Sequence, residues 1–306
     1  MTSATVAATD PLLGHHLTCW CGRNDWRVCF RTSRFALLRC GCEAYRIDPP
    51  PLTSDRESQA FYTAYYQDPI EPAAAPVAGY RTYRFWQVAR QVPAVGRVGE
   101  RAADIGCGEG HLCADLRDAG WPVVTGIDVA YSRIQRARQL YPHIEFHDRP
   151  LRAAGLPEKS FDLMVMDNVI EHLLEPHVMV RDLHGYLKSD GRLVVITPNM
   201  ESGYFRVLGR FWTPELAPHV HIYLFTGAVL CRLLARAGFA VEAAGSFHVR
   251  PHSWRGVFVD LRSGAWRRAL WHAMQQAGDA YGRLIGAGPM LYAVARPEPP
   301  GADGLT

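Results

Sequence analysis

Three glycines spaced by single residues, in Asp104-Ile105-Gly106-Cys107-Gly108-Glu109-Gly110, follow the apolar-leaning pair Ala102-Ala103 and precede a helix-like segment from His111 to Asp118. Glycine has no Cβ and tolerates positive φ, so a small molecule can lie against bare backbone N–H groups at such a helix N-terminus. A dinucleotide-binding turn needs glycines at its first, third and sixth positions. Counted from Gly106 and Gly108, the sixth position is His111. The charges within 104–110 are Asp104 and Glu109, both negative, with no Lys or Arg to meet a pyrophosphate. The turn is therefore expected to hold a ligand that carries positive charge. A purely structural turn is the alternative, although the periodicity on either side also fits a strand, turn and helix.

Further polar residues follow at intervals that suit such a unit. The strand-like run Pro122 to Ile127 ends in Asp128, one strand-helix-strand step after Asp104. An acid at that strand tip can accept hydrogen bonds from both hydroxyls of a ribose, or it can cap the helix that begins near Tyr131. Phe161 to Met166 reads as another strand and is followed by Asp167-Asn168-Val169-Ile170-Glu171-His172-Leu173. In a doubly wound sheet, ligands bind at such strand ends. Leu187 to Asn199, with Gly191 and the Thr197-Pro198-Asn199 ending, comes next; His219-Val220-His221, Phe225-Thr226 and a helix from Gly227 to Ala237 follow.

In combination these segments resemble the class I S-adenosylmethionine (SAM)-dependent methyltransferases, whose first motif reads acid-x-Gly-x-Gly-x-Gly. The resemblance covers roughly residues 80 to 260 and is far more specific in its combined spacing than in any one piece. It implies a SAM site, and the sulfonium and ammonium of SAM suit an acidic turn. It assigns Asp104, Gly106, Gly108 and Gly110 to the cofactor cradle, Asp128 to the ribose and Asn168 to the segment lining the methyl-transfer face. Family members often fix the adenine with an acid in a Gly-Asp-Leu-like stretch about eleven residues before the Phe-Asp pair. Counting back from Phe161 reaches Pro150, which leaves Asp148, or backbone around Leu151, for that contact.

Methyl transfer is an in-line displacement that needs alignment above all, and a hydroxyl acceptor also needs a base. Histidine titrates nearest neutrality, which makes His172, His219 and His221 the candidates. His219 and His221 alternate, so one points inward if Val220 lies in an extended segment. Metal-dependent relatives, among them quinone-biosynthetic O-methyltransferases and small-RNA 2′-O-methyltransferases, resemble the 168–172 stretch with Glu-x-x-Glu-His. Here Asn168 stands in place of the first Glu. A divalent ion at Glu171 and His172 is thus open but disfavoured, because a neutral amide is a poorer ligand for a hard cation. In the remaining alternative Glu171 and His172 merely orient the loop.

Five of the eight cysteines lie between residues 19 and 42, as the close pairs Cys19-Trp20-Cys21 and Cys40-Gly41-Cys42 with Cys29 between them. Two knuckles around a hairpin can present four thiolates to one zinc ion. The arrangement is similar to the zinc-ribbon-like module that precedes the catalytic domain in some bacterial methyltransferases. One intervening residue is fewer than the ordinary knuckle has, so sharp turns at Gly22 and Gly41 are expected, with His15, His16 or Cys29 as replacement ligands. Reduced thiols or a redox disulfide are the alternatives. Cys107, Cys113 and Cys231 read as small buried residues.

The 306 residues, 48% of them hydrophobic, suffice for one large core and a small appendage. A net charge of +3 is too mild to imply nucleic acid as partner. No apolar run reaches the roughly 18 residues that span a bilayer. The first twenty residues hold His15-His16 and no Lys or Arg, so a cytoplasmic location is expected. The expected fold is α/β, a Rossmann-like doubly wound seven-stranded sheet with its last strand antiparallel and a small N-terminal cysteine-rich module. The expected organisation is a cysteine module over 1–55, a helical cap and linker over 56–98 and a methyltransferase domain over 99–298, with a helical insertion at 262–287. The expected activity is methyl transfer from SAM to a small-molecule acceptor, most simply at oxygen; the alternative is a non-catalytic binding or regulatory protein on the same fold.

Overall fold

The computed structural model describes residues 18–48, 78–211, 217–249 and 265–298, with a few isolated positions between them. His15 and His16 lie outside the described residues, as does most of the stretch 56–77 in the expected cap and linker. In chain order the elements are β1 (Arg27–Arg31), β2 (Ala36–Arg39), β3 (Tyr45–Asp48), α1 (Ala78–Gln91), β4 (Arg101–Ile105), α2 (His111–Asp118), β5 (Val123–Ile127), α3 (Tyr131–Leu140) and β6 (Glu145–His147). They continue with β7 (Phe161–Asp167), α4 (Pro176–Tyr186), β8 (Leu187–Pro198), α5 (Gly203–Leu208), β9 (Tyr223–Leu224), α6 (Gly227–Arg236), β10 (Phe239–Phe247), α7 (Trp266–Ile285) and β11 (Met290–Pro297).

Seven strands form one sheet in the order β10-β11-β8-β7-β4-β5-β6. β4 pairs in parallel with β5 and with β7, β5 with β6, and β7 with β8. The last strand inserts between β8 and β10 and runs antiparallel, as expected. Parallel strands covered on both faces read as continuous apolar runs, which is why Leu163 to Met166 and Leu193 to Ile196 are wholly buried. The chain steps outward from β4 to β5 and β6, then returns to place β7 on the other side of β4. Beside β4 the strand order therefore reverses, and the crevice outside the carboxyl ends there is where open α/β sheets bind ligands. Two acids in these strands are completely buried, Asp104 in β4 and Asp167 at the end of β7.

The chain divides into two compact units, one drawn from 52–196, 230–244 and 293–306, the other from 1–51, 197–229 and 245–292. In the second, β1, β2, β3 and β9 form an antiparallel sheet in that order. Leu37 and Ile47 of the cysteine-bearing hairpin share an apolar cluster with Met200, Tyr204, Leu208 and Leu224. The hairpin thus completes its core with residues far along the chain, as a segment too short to bury its own apolar face must. α5 and α7 cross closely at glycines: a Cβ on Gly203 would fall on backbone atoms of Gly278 and Gly282. α7, Trp266–Ile285, lies within the stretch 262–287 read above as a helical insertion.

Because backbone rather than a flexible side chain opposes it, a branched side chain at Gly203 must push the helices apart. Gly203→Val is expected to lower the unfolding free energy by about 1–3 kcal/mol, read as a shift in the midpoint of a urea transition followed by the tryptophans of this unit.

Candidate functional site

The glycine turn begins where β4 ends. Gly106, Gly108 and Gly110 all take positive φ, at 72°, 57° and 78°, which L side chains rarely adopt. The turn spends its own donors. The N–H groups of Gly106 and Cys107 donate to Ile127 O at 2.7 and 3.0 Å, and Gly110 N–H donates to Cys107 O at 3.0 Å. Gly108 N–H donates to Asp128 Oδ2 at 2.9 Å. The expectation of bare N–H groups facing a ligand is thereby corrected: these four serve the turn itself. The space that a Cβ would take is already filled at two of the glycines, by Val169 beside Gly106 and by Phe146 beside Gly110, and the N–H donors at these positions are spent within the structure, which again argues against a phosphate.

The parallel register sets the strand tips in a row, Ile105 beside Ile127 and Ile127 beside His147. Asp128 and Asp148, one residue past β5 and β6, therefore follow the glycine turn in spatial order. Asp128 Oδ1 accepts Ala130 N–H at 2.8 Å while Oδ2 holds Gly108. A carboxylate has about four lone-pair sites, so two backbone donors leave capacity for two hydroxyls. The helix-cap alternative has partial substance, since Ala130 is the N-cap of α3, but no side chain caps it directly. Glu109 faces Arg133 Nη1 and His111 Nε2, both at 3.6 Å. The cation missing from the local sequence is thus supplied from α3.

At the next tip, Asp148 is flanked by Arg138 Nη1 at 3.5 Å and Arg149 Nη2 at 3.9 Å. Burial pushes its carboxyl up, but backbone N–H and the Arg138 guanidinium outweigh that and hold it below the usual carboxylate range. Leu151 is buried and opens a short 3-10 turn, Leu151–Ala153, just beyond.

On the other side of β4, Asn168 follows Asp167 with φ 55°, an uncommon conformation for a side-chain-bearing residue. Its N–H donates to Ile196 O at 2.9 Å, and its side-chain Oδ1 is buried without a hydrogen-bond partner among the described residues. Such an oxygen is costly to leave alone and suits a donor on a ligand. Sequence reasoning missed the neighbour that stands out most. Arg84 of α1 reaches Asp167 Oδ2 through both Nε and Nη2 at 2.9 Å, and both side chains are buried. Its signal was present in the chain: Arg84 sits four residues before Val88, a charge on the face of α1 that buries Phe85 and Val88.

Glu171 and His172 lie on the 3-10 turn Ile170–His172, with Glu171 completely buried and His172 partly so. The histidine pair at 219 and 221 belongs to the other unit. There Val220 N–H and His221 N–H both donate to Ala217 O at 2.8 Å, and Ala217 has φ 34°. The segment is a turn and not the extended stretch considered above, yet it still separates the two rings: His219 is exposed and His221 is buried.

The four knuckle cysteines converge. Cys19 Sγ lies 3.6 Å from Cys42 Sγ and Cys21 Sγ 3.7 Å from Cys40 Sγ, and all four sulfurs fall within 4.8 Å of one another. A tetrahedral zinc with Zn–S bonds of about 2.3 Å has S···S edges of about 3.8 Å, so the set fits that ion. Two matching turns close the knuckles. Gly22 N–H donates to Cys19 O at 2.8 Å and Glu43 N–H to Cys40 O at 2.7 Å, and both residues have left-handed φ, 86° and 71°. Gly22 therefore acts as expected, whereas the second sharp turn is made by Glu43. Gly41 is required instead because Asp25 packs where a Cβ would be. Asp25 Oδ1 accepts Gly41 N–H at 3.3 Å and the Cys40 thiol at 3.5 Å. Cys29 is exposed and outside the four. Cys107 and Cys113 are buried as expected, and Cys231 only partly.

Removing the guanidinium from the buried pair would strand a carboxylate in the core. Arg84→Met is expected to cost about 3–5 kcal/mol of stability in urea unfolding, and a second change, Asp167→Asn, should restore part of it.

Comparison with known proteins places this geometry. A methyltransferase-domain family model matches residues 80–244, more than half of the chain. A probable SAM-dependent methyltransferase of Mycolicibacterium smegmatis is 31% identical over 191 residues, covering 58% of this chain and 70% of the relative. A ubiquinone biosynthesis O-methyltransferase of Glaesserella parasuis is 26% identical over 170 residues, 51% of this chain and 72% of that one. Among solved structures, a geranyl diphosphate C-methyltransferase of Streptomyces coelicolor superposes with a TM-score of 0.55 at 13% identity, over 81% of this chain and all of the other, and so shares the fold. No described helix is long and apolar enough to cross a membrane. With the glycine turn, the ordered strand tips and the family match in agreement, the chain belongs to the class I SAM-dependent methyltransferases and is an enzyme.

Proposed function

We propose that this enzyme methylates an oxygen of a small-molecule acceptor, a metabolite, sugar or quinone-like compound, with His172 as the proton acceptor and zinc at the four cysteines. The observation that carries the cofactor reading is Asp128, whose two oxygens each hold one backbone N–H and keep lone pairs for the two ribose hydroxyls. Asp148 or the backbone at Leu151 takes the adenine edge, and the turn that carries Gly106, Gly108 and Gly110 forms the cofactor cradle. Asp104, completely buried behind the turn, contributes negative potential that favours the ammonium and sulfonium. Asn168 Oδ1 accepts from the ammonium. Bound SAM supplies an electrophilic methyl carbon. The enzyme's own task is to align the acceptor oxygen with that carbon and to remove the hydroxyl proton, and His172 follows directly after the segment that carries Asn168. His219 and His221 serve the acceptor side, the buried His221 more than the exposed His219. Support for oxygen comes from the likeness to ubiquinone biosynthesis O-methyltransferases.

Calorimetric titration is expected to show saturable SAM binding, weakened in Asp128→Ala by about 1.5–3 kcal/mol, the range for hydrogen bonds to a charged group. Gly108→Ala should weaken binding as well, because the added Cβ meets both the left-handed backbone and the ligand. Unchanged affinity in Asp128→Ala would remove the ribose assignment. With labelled SAM and a metabolite extract as acceptor source, His172→Ala should lower methyl incorporation by about 10² to 10⁴ while SAM affinity stays constant. The same assay with and without added magnesium, zinc content being monitored, separates a metal-free base from a divalent ion at Glu171 and His172. About one equivalent of zinc is expected in protein purified under reducing conditions; its absence would leave the cysteines as reduced thiols.

A further inference from the structure

The segment that carries His221 is built onto the cysteine knuckles. β9 begins two residues after His221 and pairs with β3, Tyr223 opposite Arg46 and Leu224 opposite Tyr45, and Ile47 N–H donates to Ile222 O at 3.0 Å. Tyr223 is fully buried. Arg46, also buried, donates from Nη1 to the Tyr223 hydroxyl at 3.4 Å and to Thr18 O at 3.5 Å, one residue before Cys19. Its guanidinium carbon lies 5.6 Å from the Tyr223 ring centroid, within cation–π range. The Arg46 guanidinium thus joins the residue before the first knuckle to the Tyr223 hydroxyl of β9. From β9 the backbone runs straight into the Ala217–His221 turn, where a non-glycine residue is held at positive φ, a conformation that persists only when its surroundings over-determine it.

We propose that Tyr223 and Arg46 are positioning residues, through which the Cys19-Cys21-Cys40-Cys42 centre holds the Ala217–His221 turn and keeps His221 buried in its working place. The inference rests on the reading of those cysteines as a zinc centre and of His221 as an acceptor-side residue, and adds that acceptor-side geometry depends on the metal while the cofactor cradle does not. The Tyr223 oxygen suits the role, because burial pushes its hydroxyl up to about 12 and keeps it a neutral link at any working pH.

The test uses the full chain and needs no acceptor. Diethyl pyrocarbonate modifies accessible histidines, and peptide mass spectrometry reads His221 against the exposed His219 as an internal standard. In zinc-loaded protein His221 is expected to react at least roughly tenfold more slowly than His219, as a group reached only by local opening does. Tyr223→Phe, which deletes one oxygen, should bring His221 to within about threefold of His219 while SAM affinity by calorimetry stays within about twofold. Chelation should do the same, and Arg46→Lys should keep more of the protection than Arg46→Met. Protection of His221 that survives both Tyr223→Phe and Arg46→Met overturns the proposal. So does loss of SAM binding in step with loss of protection, since that marks a general structural role. If no metal is found but Tyr223→Phe still releases His221, the zinc reading fails and the positioning role stands.

Discussion

The Asp128 carboxylate is the interaction on which the cofactor side of the molecule depends. One oxygen holds Gly108 in its left-handed conformation and the other holds Ala130 at the head of α3, so a single side chain ties the turn after β4 to the start of the next helix. This is possible because β4 and β5 are in parallel register, which brings Ile105 beside Ile127 and their successors within reach. The same register lines up Asp148 one strand further, and the return of β7 to the other side of β4 brings Asp167 and Asn168 to the reversal point. Sheet topology thus turns residues scattered over 104–168 into one row.

Much of this was legible in the chain. Positive φ at three spaced glycines, the strand that ends in Asp128 and the helix α7 all follow from local rules, because they concern backbone freedom and periodicity within a few residues. Convergence of four sulfurs was legible too, from two knuckles around a hairpin. Contacts between distant segments were less legible. Arg84 meets Asp167 across 83 positions, and Arg133 neutralises Glu109 from the next helix. Neither pairing leaves a mark in local spacing beyond an isolated charge on an apolar face. Glu43 as the second turn residue was missed because the eye goes to Gly41, whose glycine answers to the approach of Asp25 and not to backbone conformation.

The cysteine hairpin shows how a small element gains stability. Its strands carry too little apolar area to fold alone, and it takes Met200, Tyr204, Leu208 and Leu224 as the rest of its core. A β-strand of two residues, β9, completes its sheet. Sequence distance hid this association, since nothing near residue 223 announces a partner at residue 46. The glycine crossing of α5 and α7 belongs to the same unit, and there backbone meets backbone.

The central claim, that Asp128 and the glycine turn form the floor of the cofactor site, is tested most directly by a crystal structure with S-adenosylhomocysteine bound. The account predicts both ribose hydroxyls on the Asp128 oxygens, with the Gly108 N–H bond to that carboxylate preserved and the ligand packed against Gly106 and Gly108. A ribose held elsewhere, with Asp128 bonded only to Gly108 and Ala130, would contradict it and leave Asp128 as a lock for the turn alone.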